Sequence, residues 1–160
     1  MSGKQKIKTF LWFDANAEEA ANYYTSIFKN SRILNVMRQG DAGPGPKGAV
    51  LTIDFQLEGQ EFIALNGGPL FKFTEAISLL VDCETQREVD ELWNKLVAGG
   101  QEEQCGWLKD KFGLSWQIVP SVLVKLLRDP DPEKSKRVMQ AMLRMKKLDV
   151  ARLEQAYGEK

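Results

Sequence analysis

Polar and apolar positions alternate along residues 49–58. Ala49, Leu51, Ile53, Phe55 and Leu57 are interleaved with Val50, Thr52, Asp54, Gln56 and Glu58. A period of two predicts a half-buried strand. Upstream, residues 6–14 predict a strand rich in aromatic side chains. The period then changes: Ala20, Ala21, Tyr24, Ile27 and Phe28 share one face of a helix. Asn16-Ala17-Glu18-Glu19 opens it with capping-box spacing, Asn standing in the Ser/Thr place. Residues 32–38 predict another strand, and Asp41 to Pro46, with two Gly and two Pro, predicts a loop. Glu58-Gly59 turns the chain into a strand from Glu61 to Asn66, which Gly67-Gly68-Pro69 closes.

The same plan then repeats. Ala76 to Asp82 predicts a strand, and Thr85-Gln86-Arg87-Glu88 is a full capping box. It opens a helix with Val89, Leu92, Trp93, Leu96 and Val97 on one face, stopped by Gly99-Gly100. Short strands follow over 101–119, the clearest from Leu114 to Val119. Asn16, Glu19, Ala20, Tyr24 and Phe28 superpose on Thr85, Glu88, Val89, Trp93 and Val97 at a constant offset of 69. The fold class this predicts is α+β: a duplicated βαβββ module, first over 6–69 and then over 74–120, in one domain. Residues 121–160 predict a helical extension, broken at Asp129-Pro130-Asp131-Pro132 and restarted after Asp149.

Composition narrows the chemistry. The chain has 160 residues, 22 basic and 22 acidic side chains, and no histidine. The usual acid–base group near neutral pH and the commonest metal ligand are therefore absent, and with them every Ser–His, Cys–His or His-metal arrangement. Cys83 and Cys105 make neither a zinc site nor a disulfide framework, and read as structural. Zero net charge argues against nucleic acid or an anionic membrane as partner. Arg144-Met145-Lys146-Lys147 lacks interleaved aromatics and reads as a solvated helix end. The N-terminal residues show no signal-peptide pattern and no run is long enough to span a bilayer, so a cytoplasmic protein is expected.

The sequence resembles the vicinal oxygen chelate superfamily (the glyoxalase/bleomycin-resistance fold), and within it the PhnB-like family, also labelled a demethylubiquinone methyltransferase domain. The matching residues are Phe10 to Asp14 with Ala17 to Ala20, then Ala64 to Pro69. The third block runs from Cys105 to Pro120, and Met142 to Asp149 is similar to the family's tail. The resemblance implies curved, mainly antiparallel sheets around a cleft and a homodimer. Metal-using members of the superfamily carry a histidine on a module's first strand and a glutamate on its last. Counted back from the helix caps, the histidine positions fall near Thr9 and Ser78. The carboxylate positions fall on Gln117 and near Ile63 or Ala64. No catalytic metal is expected from such residues.

The candidate ligand-binding set is Thr9, Trp12, Asn66, Ser78, Trp116 and Gln117. The polar members would orient a small molecule, and the tryptophans would line an apolar surface or pack in the core. Trp93 reads as core from its helix face. Asp110 belongs to an Asp-x-x-Gly turn before the last strand. Glu18 and Glu19 are adjacent on a helix and make no acid–base pair. Gly40 to Gly48 has neither a P-loop ending nor a dinucleotide-binding fingerprint, and no S-adenosylmethionine motif is recognisable. No cofactor is expected. Three functions stay open: a metal-independent small-molecule binding protein, a metal-free enzyme of group or methyl transfer, and a structural or regulatory dimer. Catalytic residues are not assigned.

Overall fold

The computed structural model describes residues 3–159, which divide between Lys72 and Phe73 into two compact units. The first contains β1 (Thr9–Phe13), α1 (Ala17–Ile27), β2 (Arg32–Arg38), β3 (Val50–Leu57) and β4 (Gln60–Asn66). The second contains β5 (Ser78–Cys83), α2 (Gln86–Val97), β6 (Gln101–Glu102), β7 (Trp107–Lys109) and β8 (Ser115–Pro120). It continues into α3 (Ser121–Leu127), α4 (Pro132–Met142) and α5 (Val150–Gly158).

Each unit builds a four-stranded sheet of the same topology, β1-β4-β3-β2 and β5-β8-β7-β6. First and last strands of each module run parallel, and the other neighbours antiparallel. The duplicated βαβββ plan and the α+β class are what the repeat predicts. The β3–β4 hairpin turns on Glu58 and Gly59, both with positive φ (48° and 82°). That pair of left-handed residues matches the twist of a two-residue hairpin.

In the first unit α1 lays Ala17, Ala20, Ala21, Tyr24 and Phe28 onto one face of its sheet. That face carries Leu11, Phe13, Ile53, Phe55, Phe62 and Ala64, all buried. Tyr24, Phe55 and Phe62 stack in sequence there, with ring centroids 6.3 and 5.4 Å apart. Small alanines let the helix backbone approach, and the aromatic rings fill the rest; each large side chain so buried stabilises by about 1.5–3 kcal/mol. In the second unit Val89, Leu92, Trp93 and Leu96 of α2 pack on β7 and β8, where Leu108, Trp116 and Ile118 are buried.

The helical extension packs Leu123, Val138, Met145, Leu148 and Leu153 around Val119. Gln86, at the start of α2, clamps it: its amide nitrogen donates to Leu148 O (3.1 Å) and its amide oxygen accepts from Val150 N (2.7 Å). Among the described residues no helix is long and apolar enough to cross a membrane.

Candidate functional site

Side chains alternate across a strand, so each sheet has a helix face and an open face. On the first sheet the buried residues Leu11 and Phe13 define the helix face, and Thr9 lies on it in register with Phe62. The open face carries Phe10, Trp12, Ile63, Leu65, Thr52 and Asp54. On the second sheet Val81 and Cys83 point to the helix face, while Ser78, Leu80, Gln117, Trp107 and Lys109 share the open one. Thr9 and Ser78 are therefore not equivalent. Counted from the buried strand ends Phe13 and Cys83, the counterpart of Ser78 is Lys8, and that of Gln117 is Ile63. The caps give the wrong count because two residues separate Phe13 from Asn16, but only one separates Cys83 from Thr85.

The six candidate residues go to different places. Thr9 faces α1 and is removed from the open surface. Asn66 is committed to the scaffold, its side-chain oxygen accepting from Ala17 N (2.8 Å) and its nitrogen donating to Val50 O (3.1 Å). It thus caps α1, a job the sequence gives to Asn16, whose side chain makes no cap hydrogen bond. Trp116 is buried in the core, its indole N–H donating to Asp110 Oδ2. The open-face tryptophan of the second sheet is instead Trp107, opposite Gln117 in register. The three-residue strand β7 is too short for its alternation to be read from sequence.

Ser78 and Gln117 do come together: the Gln117 amide nitrogen donates to the Ser78 hydroxyl at 2.9 Å. Next to Ser78 in register lies Ser115, fully buried, with a hydroxyl that has no hydrogen-bond partner. Lys109 borders this patch, with Glu75 bridging its ammonium. That contact raises the lysine's pKa and lowers the glutamate's, so both stay charged near neutrality. On the first sheet the counterpart positions hold Lys8, ion-paired to Glu61 and raised in pKa by that contact, and the apolar Ile63. A neutral amide and hydroxyl on one sheet, and a cation and an alkyl group on the other, do not fit a divalent ion. Among the described residues no three His, Cys, Asp or Glu side chains gather into a metal-holding group.

Trp12 is the fixed aromatic of the first open face. Its indole N–H donates to Gly68 O (2.9 Å), and Phe71 meets the ring edge-on at a centroid distance of 4.9 Å. Gly67 lies flat under it, where a Cβ would stand 2.3 Å from Trp12 Cε2. Phe10 and Phe71 are more than half exposed. Together these rings make an apolar wall bounded by the Lys8–Glu61 pair. Cys83 adds no nucleophile: burial, then Glu88 and Asp82, push its thiol up to about 12.

Residues 5–119 match the family model described as 3-demethylubiquinone-9 3-methyltransferase. The match stops short of Met142 to Asp149. A PhnB protein of Bacillus cereus is 42% identical with a TM-score of 0.68, over 73% of this chain and 100% of that one. A protein of Pseudomonas aeruginosa is 20% identical with a TM-score of 0.61, over 73% and 98%. The fosfomycin resistance protein FosX of Listeria monocytogenes, 16% identical with a TM-score of 0.50 over 76% and 94%, shares the fold. No protein of curated function matches the chain. Module topology, the family match and these neighbours agree: the chain belongs to the PhnB-like family described as 3-demethylubiquinone-9 3-methyltransferase, and its fold is the vicinal oxygen chelate (glyoxalase/bleomycin-resistance) fold.

Proposed function

We propose that the protein binds a small molecule without a metal ion, on the open face of its second sheet. The observation that carries this is the Gln117–Ser78 hydrogen bond, between the positions at which the family resemblance implies ligands in metal-using members. An amide and a hydroxyl bind a neutral or polar organic group by hydrogen bonds but hold a divalent cation poorly. Trp107, opposite Gln117 in register, supports an apolar or flat ligand body. Ser78, Gln117 and Trp107 are the residues assigned to contact it.

Group transfer without metal is the second reading, favoured by the description of the family model. Against it, the chain has no histidine to exchange a proton near neutral pH, and Cys83 is held as a thiol. We read the protein as a cytoplasmic homodimer, and the apolar residues exposed along β2, Leu34, Val36 and Met37, support a second copy.

Native mass spectrometry of gently purified protein tests the ligand, the metal independence and the subunit number in one spectrum. A dimer bearing an extra organic mass, unchanged after exposure to manganese or zinc and dialysis, is the expected result. A stoichiometric divalent ion retained through dialysis would overturn metal independence. A bare protein that also fails to bind any member of an organic compound panel would overturn the binding reading.

A further inference from the structure

Of the six asparagines in the chain, at positions 16, 22, 30, 35, 66 and 94, Asn66 alone is followed by glycine. That dipeptide is chemically labile. The backbone nitrogen that follows an asparagine can attack its side-chain amide carbon and close a cyclic imide. Glycine, with no Cβ and the freest backbone, hinders the attack least.

The folded chain holds both reacting groups in other bonds. Asn66 ends β4 in extended backbone, paired with Phe13 of β1. Its side-chain oxygen accepts from Ala17 N at 2.8 Å and its nitrogen donates to Val50 O at 3.1 Å, so the amide is pinned at both ends. The attacking atom is occupied too: Gly67 N donates to Phe13 O at 2.8 Å, and the residue lies under the Trp12 indole. Closing the imide requires these three hydrogen bonds to break and the amide to swing toward Gly67 N. Local opening of this kind costs anything from almost nothing to the whole of global unfolding. Water, the second reactant, has access, because Asn66 and Gly67 line a groove of about 650 Å³ beside the start of α1.

We propose that Asn66–Gly67 is a latent deamidation site, silenced by these three hydrogen bonds and released when the start of α1 parts from the end of β4. In the opened chain Gly67 N gives up its proton and bonds to Asn66 Cγ, while the bond from Cγ to Nδ2 breaks and ammonia leaves. Water then opens the imide at one carbonyl or the other, giving aspartate or isoaspartate. Neither product restores the closed arrangement. An aspartate still accepts from Ala17 N, but it has no donor for Val50 O and turns a charged oxygen toward that carbonyl. An isoaspartate routes the main chain through the side-chain carbon, adding a methylene where Asn66 pairs with Phe13. The modification therefore records an opening permanently, and it involves none of the residues assigned to the binding face.

The test is peptide mapping of the full chain after incubation at mildly alkaline pH, with asparagine, aspartate and isoaspartate at position 66 resolved from one another. Native protein is compared with protein unfolded in guanidinium chloride. The unfolded chain should convert Asn66 at least about tenfold faster than the folded one. It should also convert Asn66 faster than Asn30, whose neighbour is Ser31. Guanidinium concentrations too low to unfold the protein should raise the Asn66 rate in parallel with hydrogen exchange of the Gly67 amide, because one opening frees both. Equal rates in folded and unfolded protein would overturn the proposal by showing that the fold guards nothing. An Asn66 that stays intact in the unfolded chain would overturn it at the chemical step. Exchange at Gly67 that rises while deamidation does not would show that the two need different openings, which also defeats it.

Discussion

The indole N–H of Trp116 donates to Asp110 Oδ2 at 2.9 Å, inside the core of the second unit. The other carboxylate oxygen accepts from Phe112 N (2.9 Å) and Leu114 N (3.0 Å), while Gly113 N closes the turn onto Asp110 O. One buried carboxylate therefore sets both the turn before β8 and the rotamer of its largest side chain. Asp110→Ala should strand these donors, at about 1–3 kcal/mol for a buried group left unpaired. We expect a total loss near 3 kcal/mol in urea unfolding, together with a shifted tryptophan emission. A loss below about 0.5 kcal/mol, the scale of an ordinary surface substitution, would show that the turn forms without this carboxylate.

Trp12 and Gly67 make a comparable pair in the first unit. A Cβ at position 67 would come within 2.3 Å of the indole, and ring atoms packed under a hydrogen-bonded N–H have no easy escape. Gly67→Ala should therefore expel the indole from its seat at a cost of about 1–3 kcal/mol. The Trp12–Phe71 edge contact should be lost with it. Near-ultraviolet circular dichroism of Gly67→Ala, compared with Gly68→Ala, separates the two positions. Gly68 has a positive φ of 85° but nothing near its Cβ site, so its substitution should strain the backbone while leaving the indole signal in place.

Much of this fold is legible in the sequence because its local signals agree. Period-two alternation over 49–58, the hairpin at Glu58-Gly59 and the Thr85 cap all appear as the residues require. Glu88 N donates to Thr85 Oγ (3.2 Å), and Glu88 Oε2 reaches back to Glu84 N (2.8 Å). The candidate site was less legible, for two physical reasons. A strand's face depends on every residue between it and its helix, so the single extra residue after Phe13 places Thr9 and Ser78 on opposite sides. Long-range partners leave no local trace: Asn66 caps a helix that starts 49 residues earlier, and Trp107 differs from Trp116 only in which way a short strand presents it.

Cys83 predicts a pH dependence. Burial pushes its thiol up to about 12 from an ordinary value of 9.0. The unfolded chain releases this proton first as pH rises, so folding binds the proton more tightly. The associated stability is fully present below pH 9 and is lost progressively as pH climbs toward 12. The slope approaches about 1.4 kcal/mol per pH unit in that window. Lysines and tyrosines also titrate there, so the informative quantity is the difference between wild type and Cys83→Ala. We expect the wild-type advantage to shrink between pH 9 and 10.5; a constant difference would refute the shift. Ellman's reagent at pH 8 should meanwhile label Cys105, which is partly exposed, and spare Cys83 in the native protein.

The last prediction concerns how the helical extension is held. Gln86 offers one amide to two backbone groups on either side of Asp149, imitating a strand partner across 62 and 64 residues. Lys147 adds an ion pair to Asp90 (2.8 Å), the same helix's next turn, and lowers that carboxyl's pKa. Cys105 N and Gly106 N donate to Met145 O and Lys146 O, both at 2.8 Å. Gly106 must be glycine for this, since a Cβ there would lie 2.9 Å from both Ile118 O and Leu148 Cδ1. Gln86→Ala breaks the central clamp while leaving the apolar cluster around Val119 intact. It should cost about 1–3 kcal/mol through the unpaired groups at Leu148 and Val150. Gln86→Glu keeps the acceptor for Val150 N but turns a like-charged oxygen toward the Leu148 carbonyl, and should be no better. Limited proteolysis locates the effect: both variants should open cleavage between α4 and α5 before any cut within the first unit. If the first cuts fall elsewhere, the apolar cluster alone retains the extension and Gln86 is only a bystander.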